Sequence, residues 1–479
     1  MSEREITALS VSALCAALRQ GELTATEAAK AYLCAIEEKE KTIGAYLSVT
    51  KEQALGTAAQ VDRLRRSGKK LPALAGIPGA VKDNLCTEGV RTTCASRMLE
   101  NYIPPYSAHV VEKLQQAGTV PLGKLNMDEF AMGSTTENSA FHPTHNPVDP
   151  MRAPGGSSGG AAAAVAAGEA AFALGSDTGG SIRQPAAFCG AVGMKPTYGT
   201  VSRYGLIAFA SSLDQVGPLT RSVEDNALIL SEIAGHDERD ATSLSGFDTD
   251  YCRFLTLGAK GLRLALPEEY FAEGISPEVA FAVKEAAGHF RELGAEIVPC
   301  HLPALRHALP AYYVLSSAEA SANLARFDGV KYGFRARGCG DLESLYLRSR
   351  TEGFGPEVRR RILLGSFVLS AGYYDAYYRK AQQARTLIIR DFARVLSTCD
   401  AILAPVAPTT AYRLGEKTGS PLEMYLGDIC TVPVNLAGLP ALSMPCGRDK
   451  QGLPVGMQLI GRALSEQTLY RLGYAYERG

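Results

Sequence analysis

Several features are missing from the 479-residue sequence, and each absence removes a class of function. No Cys-x-x-Cys pair occurs among the 11 cysteines, which argues against zinc ribbons and thioredoxin-like redox chemistry. The thiols are scattered, as small core residues in a reducing compartment are. No His-x-x-x-His spacing occurs, so no metal centre is expected. His236, His289, His301 and His307 sit in polar or helical settings that give them no special chemistry. No excess of positive charge exists either: 49 Lys and Arg against 50 Asp and Glu leave a net charge of −1. Any contact with nucleic acid should therefore be local or made by a partner. The longest apolar stretch, Ala161 to Ala167, is closed by Gly168 and Glu169 and is too short to span a bilayer. The N-terminus MSEREITALS has no apolar signal-peptide core. A soluble, cytoplasmic chain without membrane contact is the expectation.

What the chain does contain is alternation. Residues 5–40 read as helical, with Thr24 and Glu27 forming a capping box ahead of Ala28, Tyr32, Leu33 and Ile36. Residues 51–66 read as a further helix. Short apolar runs then recur between helical patterns, at Ala80–Val81, Val120–Leu122, Ala171–Leu174, Leu262–Leu266, Ala401–Ala404 and Gly456–Ile460. Such alternation predicts a layered α/β fold. Residues 150–220 are rich in Gly, Ser and Ala, but apolar residues interleave them, so they read as close-packed backbone around a site rather than a linker. Residues 240–260 read as a polar link to a smaller insertion, and 355–398 as one or two long helices. The expected organisation is one domain over 1–479: a helical segment at about 1–68, a catalytic core at about 70–220 and a helical insertion at about 305–398.

Two motifs invite misreading. Gly118-Thr-Val-Pro-Leu-Gly-Lys124 looks like a phosphate-binding loop, but Leu125 stands where a Mg²⁺-binding hydroxyl is needed and Pro121 sits inside it. A strand entering a turn is the plainer reading. Gly155-Gly-Ser-Ser-Gly159 fits the Gly-x-Ser-x-Gly nucleophile elbow, yet Arg152-Ala-Pro154 is a poor preceding strand and no histidine partner is evident.

Three further segments belong together: Gly76-Ile-Pro-Gly-Ala-Val-Lys82-Asp-Asn, Pro154-Gly-Gly-Ser157-Ser-Gly-Gly, and Gly175-Ser-Asp-Thr-Gly-Gly-Ser181-Ile-Arg-Gln-Pro. Their order and spacing resemble the amidase signature family, which cleaves amides with a Ser–cis-Ser–Lys triad. The resemblance implies an α/β fold with a central mixed β-sheet covered by helices on both faces. It implies Ser181 as nucleophile, Ser157 as a proton relay on a cis peptide bond and Lys82 as base. The chemistry suits these residue types. A serine hydroxyl attacks an amide only when a base takes its proton. Lysine is a base only when neutral, and burial at a strand end after Ala80-Val81 disfavours its ammonium form. Asp83 would oppose that shift unless it faces away, as adjacent strand residues do. The hydroxyl of Ser157 can donate and accept at once. The backbone of Thr178, Gly179 and Gly180 is the candidate oxyanion hole.

Four more segments refine the resemblance: Gly123–Ser134 with Thr135–Phe141, Ser317–Gly329, Gly353–Gly365 and Thr431–Pro440. They resemble the A subunits of glutamyl-tRNA(Gln)/aspartyl-tRNA(Asn) amidotransferases, which are glutaminases. That resemblance implies Arg361 on the glutamine α-carboxylate, Asp428 on its α-ammonium and Tyr312 lining the pocket. It implies B and C subunits as partners in a heterotrimer, with charged tRNA met mainly by the B subunit. It also implies no cofactor on this chain, ATP and Mg belonging to the partner. From the residues alone, Arg361 in Arg359-Arg-Arg reads as a solvated helix face, Asp428 as a turn cap and Tyr312 as core. The alternatives are a stand-alone amidase on other small amides and an amidase-like scaffold that only binds partners.

Overall fold

The computed structural model describes all residues except Glu273 and Thr418. The N-terminal segment is helical, but in three pieces: α1 (Glu3–Ala8), α2 (Val11–Gln20) and α3 (Ala25–Ile43). Ser10 caps a new helix at Ala13 N–H, and Gly21 ends it in the left-handed conformation at φ 82°. The Thr24–Glu27 capping box starts α3 as the sequence predicts. After β1 (Tyr46–Val49), helix α4 runs over Lys51–Arg66.

Ten more strands follow: β2 (Pro78–Lys82), β3 (Val120–Leu125), β4 (Phe172–Asp177), β5 (Val192–Lys195), β6 (Gln215–Thr220), β7 (Arg263–Pro267), β8 (Glu296–Cys300), β9 (Ala401–Pro405), β10 (Ala441–Arg448) and β11 (Pro454–Gly461). They form one sheet in the order β1-β3-β2-β4-β6-β5-β10-β11-β9-β7-β8. Parallel pairing joins β2 to β3 and β4, and β7 to β8 and β9. The other pairs are antiparallel, so the sheet is mixed. The polar stretch 240–260 leads not to an appended unit but to β7 and β8 at one end of this sheet. All five residues of β2, all six of β4 and all five of β9 are buried, which is why these strands read as apolar runs.

Both faces of the sheet are covered. Along β9, Leu403 packs into one core while Ile402 and Ala404 pack into the other. Leu442 and Ala441 of β10 divide in the same way, as side-chain alternation requires. The first core also takes the N-terminal helices, α5 (His109–Gln116), α6 (Gly159–Ala167), α7 (Arg183–Cys189), α8 (Val223–Ile233) and α9 (Pro277–Glu292). The second takes α10 (Ala308–Asn323), α12 (Pro356–Leu369) and α13 (Lys380–Leu396), with α11 (Leu342–Gly353) preceding α12. Two short helices, α14 (Pro421–Leu426) and α15 (Val432–Ala437), precede β10, and α16 (Glu466–Arg478) follows β11.

Helices α10 and α12 carry the expected pocket residues Tyr312 and Arg361, and their spacing depends on Gly365. A Cβ there would collide with the backbone carbonyl of Ser317 on α10. Backbone cannot swing aside as a flexible side chain can. Gly365→Ala is therefore expected to cost about 1–3 kcal/mol in urea denaturation, as overpacking does, and to weaken substrate binding by spreading the two helices.

Candidate active site

Lys82 ends β2 and is fully buried. Its Nζ donates to Ser157 Oγ at 2.7 Å, to Ser158 Oγ at 2.9 Å and to the Ser176 carbonyl at 3.4 Å. Burial lowers its pKa to about 7, against the opposing charges of Asp128, Asp177 and Asp214. Asp83 turns elsewhere, to the Thr93 N–H at 2.8 Å and to Lys124 at 3.5 Å. The alternation argued from the sequence thus separates Lys82 from its neighbouring carboxylate. Lys124 also donates to the Leu85 carbonyl and the Thr92 hydroxyl, so the phosphate-loop look-alike is a buried strand whose lysine is already engaged.

The Gly156–Ser157 peptide is cis, as the family resemblance implies. Ser157 has no exposed surface, and its carbonyl accepts from the Asp128 N–H at 3.2 Å. A Cβ on Gly156 would strike the Asp128 carboxyl, so the serine loop and this buried acid fit only through a glycine. Burial raises Asp128 to about 7.

Ser181 is the most open of the three, 8% exposed, in the turn between β4 and α7. Its carbonyl accepts from the Ser158 N–H at 3.0 Å, which joins the Ser181 turn to the Ser157 loop. Asp177 shapes the turn by accepting from Gly180 N–H at 2.8 Å and Ile182 N–H at 3.2 Å. Arg183 holds Asp177 in turn, through Nε at 3.0 Å and Nη2 at 3.2 Å. Its other N–H groups reach Gln458, Asn435 and the Thr431 carbonyl, so this fully buried guanidinium is well satisfied. Burial alone would raise Asp177; Arg183 and Lys195 overcome it and hold the acid at about 2. Of the expected oxyanion-hole amides, that of Gly180 already donates to Asp177. Those of Thr178 and Gly179 have no backbone or side-chain acceptor among the described residues, and neither has that of Ser181. The Thr178 hydroxyl donates to Asp214 at 2.6 Å, and Thr431 Oγ1 donates to the Gly179 carbonyl at 2.6 Å.

The expected glutamine-binding residues come together beside this turn. Tyr312 packs so closely on Gly179 that a Cβ there would enter its ring. Tyr313 meets Tyr312 edge to face at 5.1 Å and donates its hydroxyl to Asp428 at 2.7 Å. Thr431 bridges the Asp428 carbonyl to the Gly179 carbonyl, which ties that loop to the Ser181 turn. Burial raises Asp428 to about 7. Arg361, which reads from its sequence neighbours as solvated, is only 3% exposed. Its Nε donates to Glu357 at 2.7 Å and to the Tyr425 hydroxyl at 3.3 Å. The guanidinium lies 4.6 Å from the Tyr313 ring centre and 4.7 Å from that of Tyr425. Its Nη1 is buried and has no acceptor.

Sequence reasoning overlooked Ser158, Tyr313, Glu357 and Tyr425. Glu357 stands four residues before Arg361 on one helix, an ion-pair spacing that was there to be read. Nothing local marks Tyr425 or the second hydroxyl on Lys82, since both depend on contacts across the chain. Among the described residues, no group of three His, Cys, Asp or Glu side chains could hold a metal ion, and no helix is long and apolar enough to cross a membrane.

Residues 27–470 match the model of the Amidase family. The chain is 59% identical over 461 residues to the A subunit of glutamyl-tRNA(Gln) amidotransferase from Moorella thermoacetica, covering 96% of this chain and 94% of that protein. The crystal structure of the corresponding A subunit from Thermotoga maritima aligns with a TM-score of 0.79 at 42% identity, over 100% of this chain and 94% of the other. The native peptide amidase from Stenotrophomonas maltophilia aligns with a TM-score of 0.82 at 31% identity, over 98% and 96%. One architecture thus carries different substrates, and the pocket must decide among them.

Proposed function

The chain belongs to the amidase family, and from that premise we propose that it is the glutaminase subunit of a tRNA-dependent amidotransferase. It hydrolyses the side-chain amide of glutamine and hands the ammonia to a partner subunit. One observation above all supports this reading: Arg361 presents a buried Nη1 without an acceptor, and Tyr313, against which its guanidinium lies, donates to the buried Asp428 carboxyl. An unpaired buried donor is costly, and a ligand that satisfies it binds well. The α-carboxylate of an amino acid answers Arg361, and its α-ammonium answers Asp428. A simple neutral amide uses neither group. The names of the relatives point the same way.

The chemistry proceeds through the three side chains. Neutral Lys82 takes the Ser157 proton as Ser157 takes that of Ser181, and Ser181 Oγ attacks the carboxamide carbon. The amides of Thr178, Gly179 and Ser181 receive the charge on the carbonyl oxygen, while Gly180 gives the turn its shape. The carbon–nitrogen bond breaks as the relay returns a proton to nitrogen, releasing ammonia and leaving a glutamyl ester on Ser181. Water, activated by the same relay, cleaves the ester to glutamate and restores the enzyme. B and C subunits complete a cytoplasmic heterotrimer. ATP with Mg and the charged tRNA bind at the partner, which converts Glu-tRNA(Gln), Asp-tRNA(Asn) or both to the amidated forms. This chain binds no cofactor of its own.

Arg361→Gln tests the substrate. It keeps a donor for Glu357 but loses the charge. KM for glutamine should rise about 10- to 100-fold, the worth of a charged hydrogen bond, while hydrolysis of propionamide stays nearly constant. An equal loss on both substrates would sink the glutamine assignment. Reconstitution with B and C subunits and assay of both mischarged tRNAs then reads the transfer itself.

A further inference from the structure

We propose that the cleft walled by residues 97–106 and 326–337 docks an acidic, apolar-bearing segment of another protein chain. The cleft encloses about 890 Å³, large enough for a short stretch of peptide. A hydrogen bond from the Phe334 N–H to the Met98 carbonyl, 2.8 Å long, ties its two walls together. Met98, Leu99 and Phe327 are buried in its floor, with Leu206, Ile207 and Phe334 half-buried beside them.

The rim has the opposite character. Arg97, Arg326, Arg335 and Arg337 are all exposed around it, against one carboxylate, Glu100. None of these four guanidiniums has a carboxylate within salt-bridge distance among the described residues. Arg326 reaches only the Asn323 carbonyl at 2.8 Å, and Arg335 only that of Gly329 at 3.5 Å. Some exposed arginines elsewhere do find acids, as Arg239 does in Glu112 and Arg348 in Glu352. The chain as a whole carries a net charge of −1, so this positive mouth is a local concentration. Like charges around a cleft focus its field and draw in anions. The planar guanidinium fork matches a carboxylate well.

Both features must be answered by one ligand. An inorganic anion would leave the apolar floor unused. Single-stranded nucleic acid stacks its bases on exposed aromatic faces, and Tyr106 and Tyr332 offer such faces at the rim, but stacking there would leave the recessed floor of Met98, Leu99, Leu206 and Ile207 unused. An extended peptide sends alternate side chains to opposite sides. Acidic residues then reach the arginines while apolar ones enter the floor, a recognition pattern with a charged rim and apolar anchors.

Fluorescence anisotropy of a fluorescein-labelled peptide of alternating Glu and Leu, titrated with the full chain, tests it. Binding should weaken by about tenfold or more in the double variant Arg326→Glu/Arg335→Glu, as charge reversal across a docking surface does. It should persist when Arg63, exposed on α4, is changed to Glu, and should be lost for a peptide with Gln in place of Glu. Unchanged circular dichroism verifies that the variants fold. The proposal is overturned if the unaltered chain does not bind the peptide, if Arg63→Glu weakens binding as much as the double variant, or if a labelled oligouridine binds more tightly than the peptide.

Discussion

Ser181→Ala is expected to lower glutamine hydrolysis by at least about four orders of magnitude, the scale on which removal of a nucleophile acts. The variant loses the only atom that can form the acyl-enzyme, and neither neighbouring hydroxyl can replace it. Ser157 Oγ and Ser158 Oγ both lie on Lys82 Nζ, at 2.7 and 2.9 Å, and both are fully buried. Only Ser181 reaches the surface of the site. The fold should be untouched, because the Asp177–Arg183 clamp holds the turn through backbone amides rather than through the serine hydroxyl. Substrate binding should survive as well, since Arg361, Asp428 and Tyr312 remain. In a complex reconstituted with B and C subunits, glutamine-dependent amidation of tRNA should therefore vanish while amidation supplied with ammonium chloride continues. Glutaminase activity that persists in Ser181→Ala would remove the nucleophile assignment. Loss of the ammonium-supported reaction would point to disrupted assembly.

Lys82→Met should reduce kcat by about 10²–10⁴-fold, the contribution of a positioned general base. The unaltered enzyme should show kcat rising with pH through about 7, where Lys82 loses its proton, and this limb should be missing in the variant. Asp428 also titrates near 7, but in the proposed reading it acts on binding. It must be ionised to meet the α-ammonium, so KM for glutamine should fall as pH rises through the same range. The split between kcat and KM separates the two groups. The stability effect has a definite sign. The folded pKa of Lys82 lies below its unfolded value, so between about 7 and the ordinary lysine range the unfolded chain holds a proton that the folded chain lacks. The lysine therefore costs stability most fully below about pH 7, and the cost fades as pH rises. Replacement by methionine, of similar length and without charge, should raise the melting temperature at neutral pH while removing activity. A melting temperature that fell instead would mean that the hydrogen bonds of Nζ outweigh its desolvation.

Much of this was legible in the amino-acid order because the relevant features are local. Strands β2, β4 and β9 are buried along their whole length, so an apolar run marks each of them, at Ala80–Val81, Ala171–Leu174 and Ala401–Ala404. The capping box at Thr24 and Glu27 needs only four residues to declare itself. Lys82, Ser157 and Ser181 each stand inside a segment whose composition is itself unusual. The break of the N-terminal helix at Ser10 and Gly21 was equally local, but helical apolar spacing on both sides obscured it.

Arg361 shows where that legibility ends. In the run Arg359-Arg360-Arg361 the three side chains are chemically identical, and helical geometry sends them to different faces. The side chain of Arg360 is 46% exposed and that of Arg361 only 3%, because α12 packs its Arg361 face towards Tyr313 and Tyr425. The sequence by itself pointed to the layered α/β architecture and to the Thr24–Glu27 cap, and its family resemblance singled out Lys82, Ser157 and Ser181 for the proposed reacting centre. Only the tertiary structure decided how far the pKa of Lys82 falls, that a second serine shares its Nζ, and that Arg361 keeps a buried N–H unanswered. Each of these depends on desolvation and on partners brought from distant parts of the chain, and neither exists until the sheet and its covering helices have closed around the site.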